Sequence, residues 1–275
     1  MDLIETLLLL AVGFVVGVPA SMVGLGGGFL MVPILILAFQ RSAQNAVAVS
    51  LVAMCGTTVS AAIGYLRQRR VDCGLALLYD VLDVPGVVIG AYLTTFFRSN
   101  VLTGLCGFFI MLISLLLVRG SGYIDTVETS KAENAEDGGW QRKITDSSGK
   151  VFRYVIRKPV LTLLSSFSGG LVTGLSGLGG GITDTTTMIL LGVPPHVAVA
   201  SSELAMALTN GAGVVAHGIL QNILFEYAVP LTLGTVAGAQ VGSSLSKRVE
   251  AKFLKGTLSL IAFLLGLRLI FFLFS

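Results

Sequence analysis

Gly24-Leu25-Gly26-Gly27-Gly28 and Gly177-Leu178-Gly179-Gly180-Gly181 are one pentapeptide written twice in an otherwise apolar chain. Five residues with four glycines cannot sustain a helix, since each glycine costs about 1 kcal/mol relative to alanine. Behind each run comes a short apolar stretch, 29–39 or 182–193, and neither reaches the roughly 20 residues a helix needs to cross a bilayer. The pattern predicts two segments broken at the glycines into short arms.

The other apolar runs, 3–23, 44–66, 74–97, 100–118, 160–176, 197–220, 228–246 and 253–274, are mostly long enough to span. Of the 275 residues, 54% are hydrophobic and 12% charged. A soluble domain carries roughly 25% charged residues, and a chain of this size could not bury so much apolar surface in water. The expected class is an all-α polytopic membrane protein. The run 3–23 lacks a basic flank and a small-residue cleavage site, and is read as a retained segment. Cys55, Cys73 and Cys106 form no CxxC pair and read as small packing residues.

The polar stretch 119–158 divides the chain into membrane halves 1–118 and 159–275. It holds Glu128, Glu133, Glu136 and Asp137, and its part from Trp140 to Tyr154 alternates around Ser147-Ser148-Gly149, the pattern of a small hairpin. The halves repeat each other. An offset of 153 carries Gly17 onto Gly170 and one glycine run onto the other. An offset of 152 carries Ala46-Val47-Ala48 onto Ala198-Val199-Ala200, Ser50 onto Ser202, Met54 onto Met206, Thr57 onto Thr209, and Gly86 and Gly90 onto Gly238 and Gly242.

Basic residues set the orientation. Arg67, Arg69 and Arg70 follow the 44–66 run, and Arg119 opens the polar stretch. Both places lie on one side, read as cytoplasmic. In the second half Leu220-Gln221-Asn222 is uncharged where the first has arginines, and Lys247, Arg248, Lys252 and Lys255 follow the next span instead. The halves are therefore expected to have opposite topology, as two inverted repeats of about five segments each, with glycine-broken short helices and both termini outside.

Short, glycine-interrupted segments at matching places point to a transporter's binding site. A break frees N–H groups at the next helix start, which with the helix dipole favour an anion. Close helix packing is the competing use of these glycines. The substrate-lining candidates are Gly24, Gly26, Gly27, Gly28, Gly177, Gly179, Gly180 and Gly181, with Ser50, Thr57, Thr183, Thr185, Ser202 and Asn210.

Asp184 follows the second run, where the first half has apolar Leu30 to Ile34. It reads either as a helix cap or as a protonation site coupling protons to an anion. Glu203 and His217 are fourteen residues apart on one helical face, about 21 Å along its axis, with Asn210 between them. They read as a polar stripe carrying a coupling proton or as interhelical hydrogen bonds. Asp80 and Asp83, one turn apart, either pair with a cation such as Arg67 or line the cavity. No HExxH, GxSxG or Walker lysine is present, so neither an enzyme, a cofactor nor a metal site is expected.

Gly24-Leu25-Gly26-Gly27-Gly28-Phe29-Leu30-Met31-Val32-Pro33, its reprise at 177–181, the Ala-Val-Ala…Ser stretches and the basic loop after 44–66 resemble the sulfite exporter TauE/SafE family. The resemblance covers the chain outside 120–158. It implies an inner-membrane permease for sulfite, a sulfonate or a related sulfur-containing or organic anion, with proton coupling, and its carry-over falls on the motif glycines, Ser50 and Ser202. The chain departs from the pattern at Thr183-Asp184-Thr185-Thr186-Thr187, where apolar residues and proline are usual. Expected partners are a small anion and the lipid bilayer, with a homodimer as an open arrangement and no nucleic acid. The competing readings are an ion channel, and a non-transporting membrane subunit that binds a partner through 119–158.

Overall fold

The computed structural model describes residues 2–127, 140–147, 149–156, 159–245 and 251–274. Among them the chain forms ten helices, five before and five after a two-stranded hairpin. The first five are α1 (Leu3–Val23), α2 (Gly28–Leu37), α3 (Ala43–Arg67), α4 (Cys73–Leu93) and α5 (Ser99–Val127). The second five are α6 (Pro159–Ser176), α7 (Gly181–Leu190), α8 (Pro195–Ile219), α9 (Phe225–Leu245) and α10 (Ala251–Phe274). The hairpin pairs β1 (Trp140–Thr145) with β2 (Val151–Ile156) in antiparallel register, Trp140 opposite Ile156 and Thr145 opposite Val151.

The helices end where the sequence supplies a reason. Gly24 takes φ 78° and closes α1 by donating its N–H to the Ala20 carbonyl, and Gly27 takes φ 91° before α2. Ser42 caps α3 by accepting from the Asn45 N–H, and Asp72 caps α4 by accepting from the Leu75 N–H. The helix α5 runs past the expected end of its apolar stretch to Val127, so the opening of the polar stretch is helical; no proline interrupts it. Glu128, Glu133, Glu136, Asp137, Lys247 and Arg248 lie outside the described residues.

The core is apolar, as in a soluble protein, but the exterior is apolar as well. Leu7, Val15, Val81, Phe108, Val215 and Leu233 are exposed, while Asp83, Asp184, Glu203, Asn210 and His217 have no exposed surface. Large apolar side chains on the outside suit lipid, not water. Three helices, α1, α3 and α4, are each long and apolar enough to cross a membrane.

Pairing between helices exchanges the halves. The helix α1 packs on α9 and α4 on α6, while α3 meets α8 and α5 meets α10. A methyl group on Gly86 would stand 2.6 Å from the Phe167 carbonyl oxygen and 3.0 Å from the Leu171 nitrogen. One on Gly238 would stand 2.5 Å from the Phe14 oxygen and 3.0 Å from the Val18 nitrogen. These are the same contacts displaced by the repeat offsets, and they leave no room for a side chain.

Outside the bundle, the hairpin docks on the α3–α4 connection. Arg70 pairs with Asp146 at 3.2 Å, Arg142 with Asp72 at 3.3 Å, and the Ser147 N–H donates to the Gln68 carbonyl at 3.0 Å. Beneath it Phe152 and Tyr154 join Leu75, Tyr79, Met188 and Val197 in a small core. Of the cysteines, Cys106 is buried, Cys55 half-buried, and Cys73 exposed at the start of α4 rather than packed.

Candidate functional site

The two glycine breaks meet at the centre of the bundle. Gly28 lies directly on the Gly177 carbonyl, and a methyl group on Gly181 would stand 2.6 Å from the Gly24 oxygen. Gly177 and Gly179 take φ 64° and 85°, conformations that L side chains rarely adopt. Neither α2 nor α7 has a side-chain cap at its start. The Ser50 hydroxyl lies 2.8 Å from the Val47 carbonyl and 3.0 Å from that of Gly177, tying α3 to the opposite break. The Ser202 and Thr185 hydroxyls meet at 2.7 Å. Thr57 donates within its own helix, to the Ala53 carbonyl at 2.9 Å.

Two methionines fill the crossing. A methyl group on Gly26 would lie 3.1 Å from Met54 Cε and 3.6 Å from Met206 Sδ; one on Gly179 would meet the same two side chains at 2.5 and 3.9 Å. Neither methionine stands out as a site residue in the sequence, where the pair is one repeat match among others. Methionine is flexible enough to fill such a gap and to leave it.

Beside the crossing lies a buried acidic group built from three helices. Asp80 and Asp83 on α4 both reach Thr209 on α8, with Asp80 Oδ1 at 3.0 Å and Asp83 Oδ2 at 2.8 Å from its hydroxyl. Neither forms an ion pair with Arg67 among the described residues. The arginine is at the end of α3, and the adjoining Arg70 and Arg142 are taken by Asp146 and Asp72. Asp184 comes from the first turn of α7. A methyl group on Gly180 would lie 3.3 Å from Asp184 Oδ2, 3.4 Å from Thr173 Oγ1 and 3.6 Å from Asp83 Oδ1, so both carboxyls face one small space.

Among the described residues both oxygens of Asp184, Asp83 Oδ1 and both oxygens of Glu203 are buried without a hydrogen-bond partner, so Asp184 makes no capping bond. The neighbouring Thr183 hydroxyl donates to the Gly180 carbonyl at 2.6 Å. The Asn210 amide is likewise buried and unpartnered. Unpaired polar groups in a dry interior are costly, which marks this region as one shaped for more than packing.

The repeat supplies a comparison inside the molecule. Asp80, Asp83, Asp184 and Glu203 correspond to Thr232, Thr235, Met31 and Leu51, so the equivalent place in the other half has no carboxylate. His217 corresponds to Tyr65. The His217 Nε2 lies 3.0 Å from the Gly174 carbonyl, and the Tyr65 hydroxyl donates to the Ser21 carbonyl at 2.9 Å, the same contact displaced by the offsets. A carbonyl only accepts, so Nε2 carries the proton. Asn222 Nδ2 then donates to Nδ1 across 3.3 Å. Both ring nitrogens are engaged in joining helices.

Of the residues singled out in the sequence, the glycines, Ser50, Thr185 and Ser202 meet at the crossing, and Asp184 meets Asp83 beside it. Glu203, Asn210 and His217 share the buried face of α8. What the sequence did not indicate is the junction of Asp80 and Asp83 with Thr209, residues 126 and 129 positions apart.

Known proteins place this arrangement. Residues 9–269 match the sulfite exporter TauE/SafE family. The chain is 30% identical over 272 residues to the probable membrane transporter protein YunE of Bacillus subtilis, covering 96% of this chain and 97% of that protein. It is 23% identical over 270 residues to the probable membrane transporter protein YdhB of the same organism, covering 96% and 100%. Over 126 residues it is 32% identical to the sulfite exporter TauE/SafE family protein 3 of Arabidopsis thaliana, covering 46% of this chain and 26% of that protein. No solved structure matches significantly. The family and the names of these relatives make this a membrane transporter. The chain belongs to the sulfite exporter TauE/SafE family.

Proposed function

We propose that this protein is a secondary transporter for a small anion, of the sulfite, sulfonate or related sulfur-containing or organic class, that couples its movement to protons. The observation that carries the reading is the meeting of two glycine breaks, each opening onto a short helix whose start has no side-chain cap. Such starts favour negative charge, and broken segments at matching places are where transporters hold substrate. The name of the family supports a sulfur oxyanion.

The anion sits between α2 and α7, held by backbone N–H groups of the breaks with the hydroxyls of Ser50, Thr57, Thr183, Thr185 and Ser202 and the Asn210 amide. Met54 and Met206 withdraw to admit it. Asp184 and Glu203, with their unpartnered oxygens, are the favoured proton carriers over His217, whose nitrogens are occupied. The halves are an inverted pair in a cell membrane, a reading supported by the exchanged contacts of α1–α9 and α4–α6 and by the shift of basic residues between halves. The hairpin side is cytoplasmic and both termini are outside.

Purified protein in liposomes tests this. Sulfite or a small sulfonate should accumulate when a pH gradient is imposed, and Asp184→Asn should abolish the gradient's effect. If no such anion moves with or without the gradient, the anion assignment fails.

A further inference from the structure

Thr209 has one hydroxyl proton and two carboxyl oxygens within hydrogen-bond reach, Asp80 Oδ1 at 3.0 Å and Asp83 Oδ2 at 2.8 Å. A threonine hydroxyl donates once and accepts through its lone pairs. It can therefore give one full hydrogen bond to these oxygens, and both contacts are full hydrogen bonds when the other carboxyl carries a proton and donates to Oγ1. With both acids ionised, two negative charges would also face each other in a buried site, which is unfavourable.

A second, independent observation lies on another helix. Asp184 is fully buried, both of its oxygens lack a hydrogen-bond partner among the described residues, and its Oδ2 shares the space beside Gly180 with Asp83 Oδ1, which lacks one likewise. No group of three His, Cys, Asp or Glu side chains with metal-holding geometry is found among the described residues, and a buried carboxyl without a partner is relieved by binding a proton.

We propose that Asp80, Asp83 and Asp184, keyed by Thr209, form a proton-binding site that spans α4, α7 and α8. The Asp80–Asp83 pair holds one proton through Thr209. Asp184, across the small space beside Gly180 from Asp83 Oδ1, is the third carboxyl of the site and holds its own proton. Asp80 is the entry, since it keeps 8% of its surface exposed while Asp83 and Asp184 keep none. It lies in the half of α4 nearer the hairpin.

The other groups around the site are accounted for. The helix α6 presents Ser166 and Thr173, and Gly170 lies against Asp83. On α8, Glu203 has no partner and the His217 ring is tied to Gly174 and Asn222. On α5, Cys106 Sγ faces the Ser176 carbonyl at 3.8 Å. Arg70 and Arg142 are paired with Asp146 and Asp72 at the hairpin. This inference rests on the proton-coupled reading and adds the α4 pair to it.

Infrared difference spectroscopy of the purified protein across pH, in light and heavy water, reads protonated carboxyls directly. The wild type should show a carbonyl band of a carboxylic acid near neutral pH that titrates and shifts on deuteration. Asp83→Asn and Asp184→Asn should each remove intensity, Thr209→Val should move the titration midpoint, and Thr209→Ser should restore it. The proposal is overturned if the wild type shows no titrating band, or if the band survives both aspartate variants and disappears only in Glu203→Gln. It is also overturned if sodium at fixed pH raises the melting temperature of the wild type and not of Asp83→Asn, which would make this a metal-ion site. The wild-type spectrum decides the first outcome even if a variant does not fold. No substrate is used, so failure here leaves the anion reading standing, and failure of anion transport leaves the band standing.

Discussion

Gly181 stands against the backbone carbonyl of Gly24, close enough that a methyl group on it would lie 2.6 Å from that oxygen. Two chain segments more than half the protein apart thus come together at a glycine, with the Met206 side chain packed against the same point. Gly181→Ala must push them apart, and overpacking of this kind costs about 1–3 kcal/mol. Its apparent melting temperature in detergent should fall well below wild type, with loss of transport. Gly211→Ala is the control: nothing lies within 4 Å of the added methyl, in a helix interior, so its melting temperature should stay level or rise.

Tyr154 joins the hairpin to the bundle by donating to Asp72 Oδ2 at 2.6 Å. Burial, and then the hydrogen bond and charge of Asp72, push its phenol above the ordinary tyrosine range. A raised value in the folded state means that the contribution is fully present below the unfolded tyrosine value, about pH 10, and is lost only as pH rises past the folded one. Hairpin docking should therefore be flat from neutral to pH 10. Tyr154→Phe should lose about 1–3 kcal/mol, as for a hydrogen bond to a charged group, and expose β2 to amide hydrogen exchange. Unchanged exchange in that variant would rule out the anchoring role.

His217 holds α8 to α6 as Tyr65 holds α3 to α1. Its replacement by glutamine should cost on the order of 1 kcal/mol, one hydrogen bond, and leave the pH profile of transport in place. A flattened profile would instead assign the coupling proton to this ring.

Thr185 and Ser202 share a hydrogen bond at 2.7 Å across α7 and α8. Removing either hydroxyl, as Thr185→Val or Ser202→Ala, leaves the other buried and short of that partner. The double variant should be less destabilised than the two singles combined, by about 1 kcal/mol. Thermal unfolding of the four proteins gives that difference, and strict additivity would mean that the two hydroxyls do not depend on each other.

Much of the architecture was legible because it is local or repeated. Glycine density decides where α1 and α6 stop whatever surrounds them, and apolar length decides which runs can cross a bilayer. The offsets of 152 and 153 relate Gly86 to Gly238 and Ser50 to Ser202 without any structure. The chain by itself therefore determined a helical membrane protein in two related halves, broken at matching glycines, with acids in only one of the two equivalent places. What tertiary packing decided is which groups meet. Asp80 and Asp83 read either as partners for a cation such as Arg67 or as cavity-lining groups, and it is α8 that brings Thr209 to them. Asp184 read either as a cap or as a protonation site, and it is α7 that turns its carboxyl toward Asp83. His217 read either as a member of a polar stripe or as an interhelical hydrogen bond, and its contact with Gly174 is of the second kind. Each of these depends on helices far apart in the chain lying face to face, and the residues on one helix carry no mark of which side chain will stand opposite.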